Sequence, residues 1–551
     1  MDLGDRAAHA LIRAACSRER AAFLRGASQA AEVQRAILTA LLKDNADTVF
    51  GREQGFVSIR GLAEYAKALP VRGYRDFLPY IKRIRDGREA ILTREPVRLF
   101  EPTSGTGAAT KFIPYTVGLR AQYGRAARAW LGDLYRFAPG IRSGRHWWSV
   151  SPSERARPDF PTSVPVGFDN DAAYLGGIGR ILERTMAVPD SIKAAQDRDE
   201  FFDLMAYYLL RAGDLSLVSV WNPTYFLIAF GECLARAESA CRRMQARSMA
   251  AGGGGLAARA HAVQTAIDAY AGHGDQARLL NQLWPRLALV SAWADAAAGA
   301  PARELMGLAS KAIFQPKGLL ATEGAVSIPM WVDPGGTSPY AAPAHLPAYR
   351  SHYLEFLPLG EEDGARARGL MELDKGQNYR VLISTAGGLY RYDLEDIVNV
   401  QGRVLGLPAL RFRGRAEGTD LVGEKLSEAF CHELLDKVFG PAGRPELAFL
   451  APRGDGRLGY VMYAGPFPGQ APPPGIAQRA ESLLSENYHY RHARRLGQLE
   501  PLRLYALAVG ARGERMRAAA REGRNPGGLK PVALDKRADW DSILPGGYMD
   551  A

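Results

Sequence analysis

The chain is 551 residues long, 47% hydrophobic and 23% charged, which suits a globular protein of at least two domains with length for a large core. No run of about 18 apolar residues occurs, so no membrane-spanning helix is expected. The net charge of +11 comes from arginines spread along the chain and not from a basic block interleaved with aromatics, which argues against nucleic acid as a partner.

The start of the chain, MDLGDRAAHALIRAACSRERAAFLRG, reads as a charged amphipathic helix without the apolar block of a signal peptide. Cys16, Cys233, Cys241 and Cys431 are scattered, with no C-x-x-C pair, which fits a reducing compartment and argues against a zinc or disulfide framework. A cytoplasmic monomer is expected. Apolar residues at helical spacing, as in AAEVQRAILTALLKDNA, make about the first 95 residues helical.

Next comes EPTSGTGAATKFIPYT, residues 101–116. Ser104, Gly105, Thr106 and Gly107 combine bare backbone N–H groups with hydroxyl donors, and Lys111 adds a cation on a flexible stem. That inventory suits a polyphosphate, although Ser, Thr and Gly also make ordinary surface turns. Lysine is scarce, about a dozen in all, so one inside a motif carries weight.

A helix through Phe201–Arg211 leads to the strand-like LSLVSVW, which Trp221, Asn222 and Pro223 end. Gly252–Gly255 form a flexible loop between helices. From LWPRLALVSAW onward short β-type runs follow, among them GLLATEGAVSIPMWV, HYLEFLPL and YRVLISTAGGLYRYD.

Thr322 and Glu323 end one such run, where a hydroxyl and a carboxylate suit a carboxyl-group substrate and Mg²⁺; an exposed turn carboxylate is the plain alternative. Gly387 and Gly388 tighten a turn, and Asp396 precedes another β run, where it could accept both hydroxyls of a ribose. After Gly414 and Arg415 the pattern resets: Gly423-Glu424-Lys425 opens a helix, ELAFLAPRG and RLGYVMYAG form a hairpin, IAQRAESLLSENYHY is a helix and PLRLYALAVG a strand. His489 and His492 are the nearest approach to metal-ligand spacing, and without a third ligand nearby they read as a polar helix start or loop. These patterns give an α/β (α+β) protein with domains at 1–415 and 416–551.

SGTGAATKFIPYT, SVWNPT, LWPRLALVSAW, KGLLATEGAVSIP, HYLEFLPL, GGLYRYDLED, GRAEGTDLVGEKLSE and YRHARRLGQLEPLRLY, in this order, resemble the auxin-responsive-promoter family of acyl-acid amido synthetases, a branch of the acyl-adenylate-forming enzymes. The likeness spans roughly residues 30–540 and is nearest to bacterial members. It implies a large N-terminal adenylation domain of sheets flanked by helices, and a small mobile C-terminal α/β domain.

The resemblance implies ATP and Mg²⁺ as cofactors, with a small carboxylic acid and an amino acid as substrates. By the same likeness Ser104, Gly105, Thr106, Gly107 and Lys111 bind the phosphates, and Thr322 and Glu323 meet AMP or the acyl group, with Glu323 on the metal. Asp396 holds the ribose, Arg415 stands at the interdomain crossing by the nucleotide, Lys425 reaches a phosphate, and Lys530 is the lysine that swings in during one half-reaction.

Two positions depart from the pattern. Glu395 replaces the family's glycine before the ribose aspartate, placing bulk and negative charge near the nucleotide, and Leu529 replaces a glutamine. Two other readings stay open: a thioester ligase using the same adenylation step, and a degenerate nucleotide-binding protein whose ribose site Glu395 has spoiled.

Overall fold

Leu3–Arg25, Ala30–Asp44, Val49–Glu53, Leu62–Ala68 and Tyr74–Arg85 are helices, as the spacing of apolar residues predicted. In Ala30–Asp44 the buried residues Ala30, Gln34, Leu38, Leu41 and Leu42 recur every three or four positions and face the core. The computed structural model describes residues 3–103, 111–148, 162, 164–167, 177–332, 342–361, 363–415, 418–419, 421, 424, 426–440, 444–467, 471–495, 499–521 and 532–549.

Strands β1 (Leu99–Thr103) and β2 (Lys111–Tyr115) pair antiparallel, and their register closes at Thr103 opposite Lys111. The stretch 104–110 therefore joins the two ends of one hairpin. β2 runs directly into the long helix Val117–Phe137, whose N-cap, Thr116, accepts the Leu119 N–H at 3.0 Å.

β3 (Arg145–Trp148), β4 (Leu215–Ser219), β5 (Leu289–Ala292) and β6 (Ile313–Pro316) form a parallel sheet in that order. β4 and β5 are buried along their whole length because both faces are covered. Leu217 and Leu289 share a core with Leu119, Ala126 and Trp130 of the Val117–Phe137 helix. Val218 and Val290 point the other way, into a second core with Phe201, Phe226 and Leu283.

The expected run GLLATEGAVSIPMWV is three short strands: β7 (Leu320–Ala321), β8 (Gly324–Ala325) and β9 (Ser327–Met330). β7 and β8 make a tight hairpin, and β9 pairs with β10 (Ala344–Pro347). An antiparallel five-stranded sheet follows, in the order β12 (Arg368–Gly369), β11 (Tyr353–Pro358), β13 (Asn378–Ser384), β14 (Tyr392–Val404), β15 (Leu407–Arg415).

Beyond Arg415, β16 (Gly418–Thr419) pairs with β17 (Leu426–Ser427). The helix expected at Gly423-Glu424-Lys425 starts later, at Glu428, because Ser427 takes the N-cap and accepts the Phe430 N–H at 3.2 Å. The last sheet runs β18 (Leu447–Pro452), β19 (Tyr460–Gly465), β20 (Arg503–Leu507), β21 (Gly546–Met549), with the expected hairpin at β18–β19.

IAQRAESLLSENYHY is split into the helices Ile476–Leu484 and Tyr488–Arg495. The buried apolar clusters divide between Leu410 and Leu426: two draw on residues from Ile12 to Leu410, and two on residues from Leu426 to Leu544.

Candidate active site

Three separate stretches meet around two tyrosines. At the base of the β1–β2 hairpin, the Tyr74 hydroxyl accepts the Phe112 N–H at 2.8 Å and so holds β2 next to half-buried Lys111. At the other end of β2, Tyr115 donates its hydroxyl to the Thr322 carbonyl at 2.5 Å. Thr322 and Glu323 are the two central residues of the β7–β8 turn and do not end a strand as expected.

Gly324 lets that turn settle on the sheet behind it: a Cβ there would lie 2.7 Å from Ile383 Cδ1 and 2.9 Å from His352 Nε2. The buried Glu323 carboxylate accepts the Tyr392 hydroxyl through Oε1 at 3.3 Å. Burial, and then the Glu323 and Glu395 charges, push the Tyr392 hydroxyl well above its ordinary pKa, so it acts as a constant donor.

Tyr392 opens β14, and Asp396 lies four residues along the same strand. The sequence placed Asp396 before a β run; it lies inside one, because β15 continues the pairing to Asp396 opposite Arg415. Asp396 is 3% exposed, with Oδ1 3.4 Å from Arg415 Nε. Arg415 also donates to the Leu394 carbonyl at 2.9 Å and lies 3.6 Å from Glu395 Oε2. Arg415 thus ties Asp396 to Glu395 at the last position of the large sheet.

Glu395 has φ +61°, the left-handed region where glycine is at ease and a side chain costs about 1–2 kcal/mol. The glutamate holds this conformation with its N–H on Asp393 Oδ1 at 2.8 Å and its carboxylate toward Arg415.

Arg391 anchors the same strand entry. Its guanidinium is fully buried and donates to Glu355 Oε2 (3.1 Å) and to the carbonyls of Ala66 (2.8 Å), Leu69 (2.7 Å) and Gly364 (2.6 Å). Behind the β7–β8 turn, Gln122 Oε1 accepts from Ala386 N (2.8 Å) and His352 Nδ1 (3.1 Å). Burial lowers the His352 pKa to about 3, so this imidazole is neutral and structural.

Of the residues singled out from the sequence, Thr322 and Glu323 are bonded by Tyr115 to β2, the strand that begins at Lys111, and by Tyr392 to β14, the strand on which Asp396 faces Arg415. Ser104, Gly105, Thr106, Gly107, Lys425 and Lys530 lie outside the described residues, as do Leu529 and the side chains of His489 and His492. Glu428 holds the chain three residues past Lys530, its two oxygens accepting Ala533 N (2.5 Å) and Leu534 N (2.9 Å). Sequence reasoning passed over Tyr74, Tyr115, Tyr392 and Arg391, although Tyr115, Tyr392 and Arg391 stand inside the quoted motifs FIPYT and LYRYD.

Residues 20–301 match the GH3 family N-terminal domain and residues 345–415 the GH3 family central domain. The chain belongs to the GH3 family. Its GH3 central-domain match ends at Arg415, the last residue of β15.

Among curated GH3 proteins, the chain is 23% identical over 472 residues to indole-3-acetic acid-amido synthetase GH3.8 of Oryza sativa subsp. indica, covering 78% of this chain and 73% of that protein. A segment of 65 residues is 42% identical to jasmonoyl–L-amino acid synthetase JAR6 of Nicotiana attenuata, 11% of each chain. The fold is that of the acyl acid amido synthetase AtGH3.15, solved in complex with 2,4-DB, with a TM-score of 0.78, 17% identity and 98% of each chain covered.

Proposed function

We propose that this GH3 protein is an ATP-dependent acyl-acid amido synthetase. It activates a carboxylic acid as its acyl-adenylate, releasing pyrophosphate, and passes the acyl group to the amine of an amino acid, releasing AMP. The observation that carries this reading is the linkage of the β1–β2 hairpin, the Thr322–Glu323 turn and β14 through the Tyr115 and Tyr392 hydroxyls. Tyr115 joins Thr322 across 207 residues and Tyr392 joins Glu323 across 69, which supports reading the strands that carry Lys111 and Asp396 as parts of one site.

In this reading Ser104, Gly105, Thr106 and Gly107 cradle the phosphates, with Lys111 at the start of β2 offsetting their charge. Asp396, its carboxylate steadied by Arg415, accepts the ribose hydroxyls. Thr322 positions the acyl carboxylate for attack on the α-phosphorus.

Among the described residues no group of three or more His, Cys, Asp or Glu is placed to hold a metal. A single buried carboxylate, Glu323, fits Mg²⁺, which takes one or two carboxylates plus phosphate oxygens and water. When bound, the ion would neutralise phosphate charge.

Lys425 and Lys530 act from the unit 416–551, which we read as a separate domain that moves against 1–415 between half-reactions. Catalysis then rests on positioning and charge neutralisation, with no covalent enzyme intermediate.

The deciding experiment is pyrophosphate release scanned over aryl, indolyl and aliphatic acids, first without and then with amino acids. Acid-dependent release that yields an amide supports the reading; release that yields a product only with coenzyme A would make the protein a thioester ligase. The amine must be unprotonated to attack, so amide formation is expected to rise toward mildly alkaline pH more steeply than pyrophosphate release.

Glu395→Gly tests the departure beside Asp396. It relieves the left-handed strain and removes a negative charge next to the nucleotide, so KM for ATP is expected to fall several-fold. The strain relief and the lost Arg415 contact leave stability within about 1 kcal/mol of the parent.

A further inference from the structure

The helix Val117–Phe137 covers one face of the parallel sheet, and the carboxyl ends of the strands beneath it carry polar side chains where an apolar layer would suffice. Lys317, just after β6, is buried, 6% exposed. Its Nζ donates to Ser219 Oγ at 2.8 Å and lies 4.6 Å from the Trp130 ring centre and 5.2 Å from that of Trp221.

Gln315, two residues earlier on the same face, accepts through Oε1 from Trp130 Nε1 (2.8 Å) and Ser291 Oγ (3.1 Å). Indole N–H groups only donate, so the amide must present its oxygen to Trp130 and its nitrogen elsewhere. That Nε2 is buried and meets no acceptor among the described residues, and the same holds for Nε1 of Trp148, whose ring lies 5.7 Å from Trp130.

Two unmet donors and an ammonium thus gather around Trp130. Buried polar groups are almost always paired, and a surplus of donors is the complement of a group that only accepts. The indole walls suit a flat ring, and the carboxyl ends of parallel strands are where open α/β sheets hold ligands.

The place of the cluster relative to the turn at Thr322–Glu323 follows from the helix. Gln122, bonded to His352 behind Gly324, and Trp130 are eight residues apart, about 12 Å at 1.5 Å per residue. We propose that Lys317, Gln315 and Trp148 recognise the far end of the acid, and that the substrate is an aryl carboxylic acid with an acceptor oxygen (a second carboxylate, a carbonyl or a hydroxyl) remote from its reacting carboxylate. This rests on the amide-forming reading above.

The test compares 4-carboxy-, 4-acetyl- and 4-methyl-substituted arylalkanoic acids, by intrinsic tryptophan quenching without ATP and by pyrophosphate release with ATP. The acceptor-bearing acids are expected to bind at least tenfold more tightly than the methyl analogue and to show a matching advantage in kcat/KM. Lys317→Met should narrow that preference to threefold or less. Gln315→Glu keeps the acceptor for Trp130 and replaces the unmet N–H₂ with a negative charge, so it should turn the preference against the 4-carboxy acid even if Lys317→Met folds poorly.

Equal binding of the three acids by the parent protein, or an unchanged preference in either folded variant, overturns the proposal while leaving amide synthesis intact. Selective binding without pyrophosphate release from any acid would instead remove the amide-forming reading and retain the site.

Discussion

Glu323→Gln is expected to slow acid-dependent pyrophosphate release by about 10²–10³-fold, the range seen when a single preorganised charge stabiliser is removed. Glutamine keeps the size of the side chain and an oxygen for the Tyr392 hydroxyl, 3.3 Å away in the parent. The turn between β7 and β8 should therefore persist, also held by Tyr115 on the Thr322 carbonyl. What disappears is the negative charge, and with it the carboxylate that the turn would offer a divalent ion. The dependence on Mg²⁺ concentration should shift to higher values while the melting temperature changes little. A variant that loses stability but keeps its rate and its Mg²⁺ dependence would assign Glu323 a packing role only.

Arg391→Ala is expected to cost about 3–5 kcal/mol of stability, the usual penalty for breaking one side of a buried ion pair. The guanidinium is fully buried, and its removal strands Glu355 together with the carbonyls of Ala66, Leu69 and Gly364. The pH dependence carries a definite sign. Burial raises the Glu355 pKa above the ordinary carboxylate value even with Arg391 beside it. A carboxyl whose folded pKa is raised favours folding below its unfolded pKa, and loses that contribution as pH climbs through the folded value. Without Arg391 the raise is larger, so the deficit of the variant should shrink as pH is lowered from about 8 to about 5. Denaturant melts of the two proteins across that range measure it; a deficit that is flat with pH would mean Glu355 keeps its charge by some other contact.

Much of the site was legible because its chemistry is written in local runs. Gly and hydroxyl residues at 104–107 marked a loop or turn, and the structure adds the strands on either side of it, β1 and β2, which close at Thr103 and Lys111. The strands at LSLVS and at ELAFLAPRG with RLGYVMYAG could be read from β-branched and aromatic runs ended by turn residues. Short-range competition was harder to judge. GLLATEGAVSIPMWV has the composition of one strand, yet Thr322 and Glu323 form a turn inside it, since Gly324 allows an approach to His352 and Ile383 that no periodicity announces.

Glu395 shows the same division from the other side. A glutamate in the sequence signals bulk and charge beside Asp396, whereas the structure adds that the backbone there is left-handed and that Arg415 faces the carboxylate.

The sequence by itself determined the candidate groups, their order along the chain and the kind of fold that would present them, because the phosphate, ribose and metal contacts proposed for them each demand particular residue types. The tertiary structure alone decided which of those groups meet. Tyr115 on Thr322, Tyr392 on Glu323, Arg415 on Asp396 and Lys317 between two indoles are pairings across scores to hundreds of residues or between facing strands. Such contacts depend on strand register and helix packing, which are set by the whole core and leave no mark in any local run of residues.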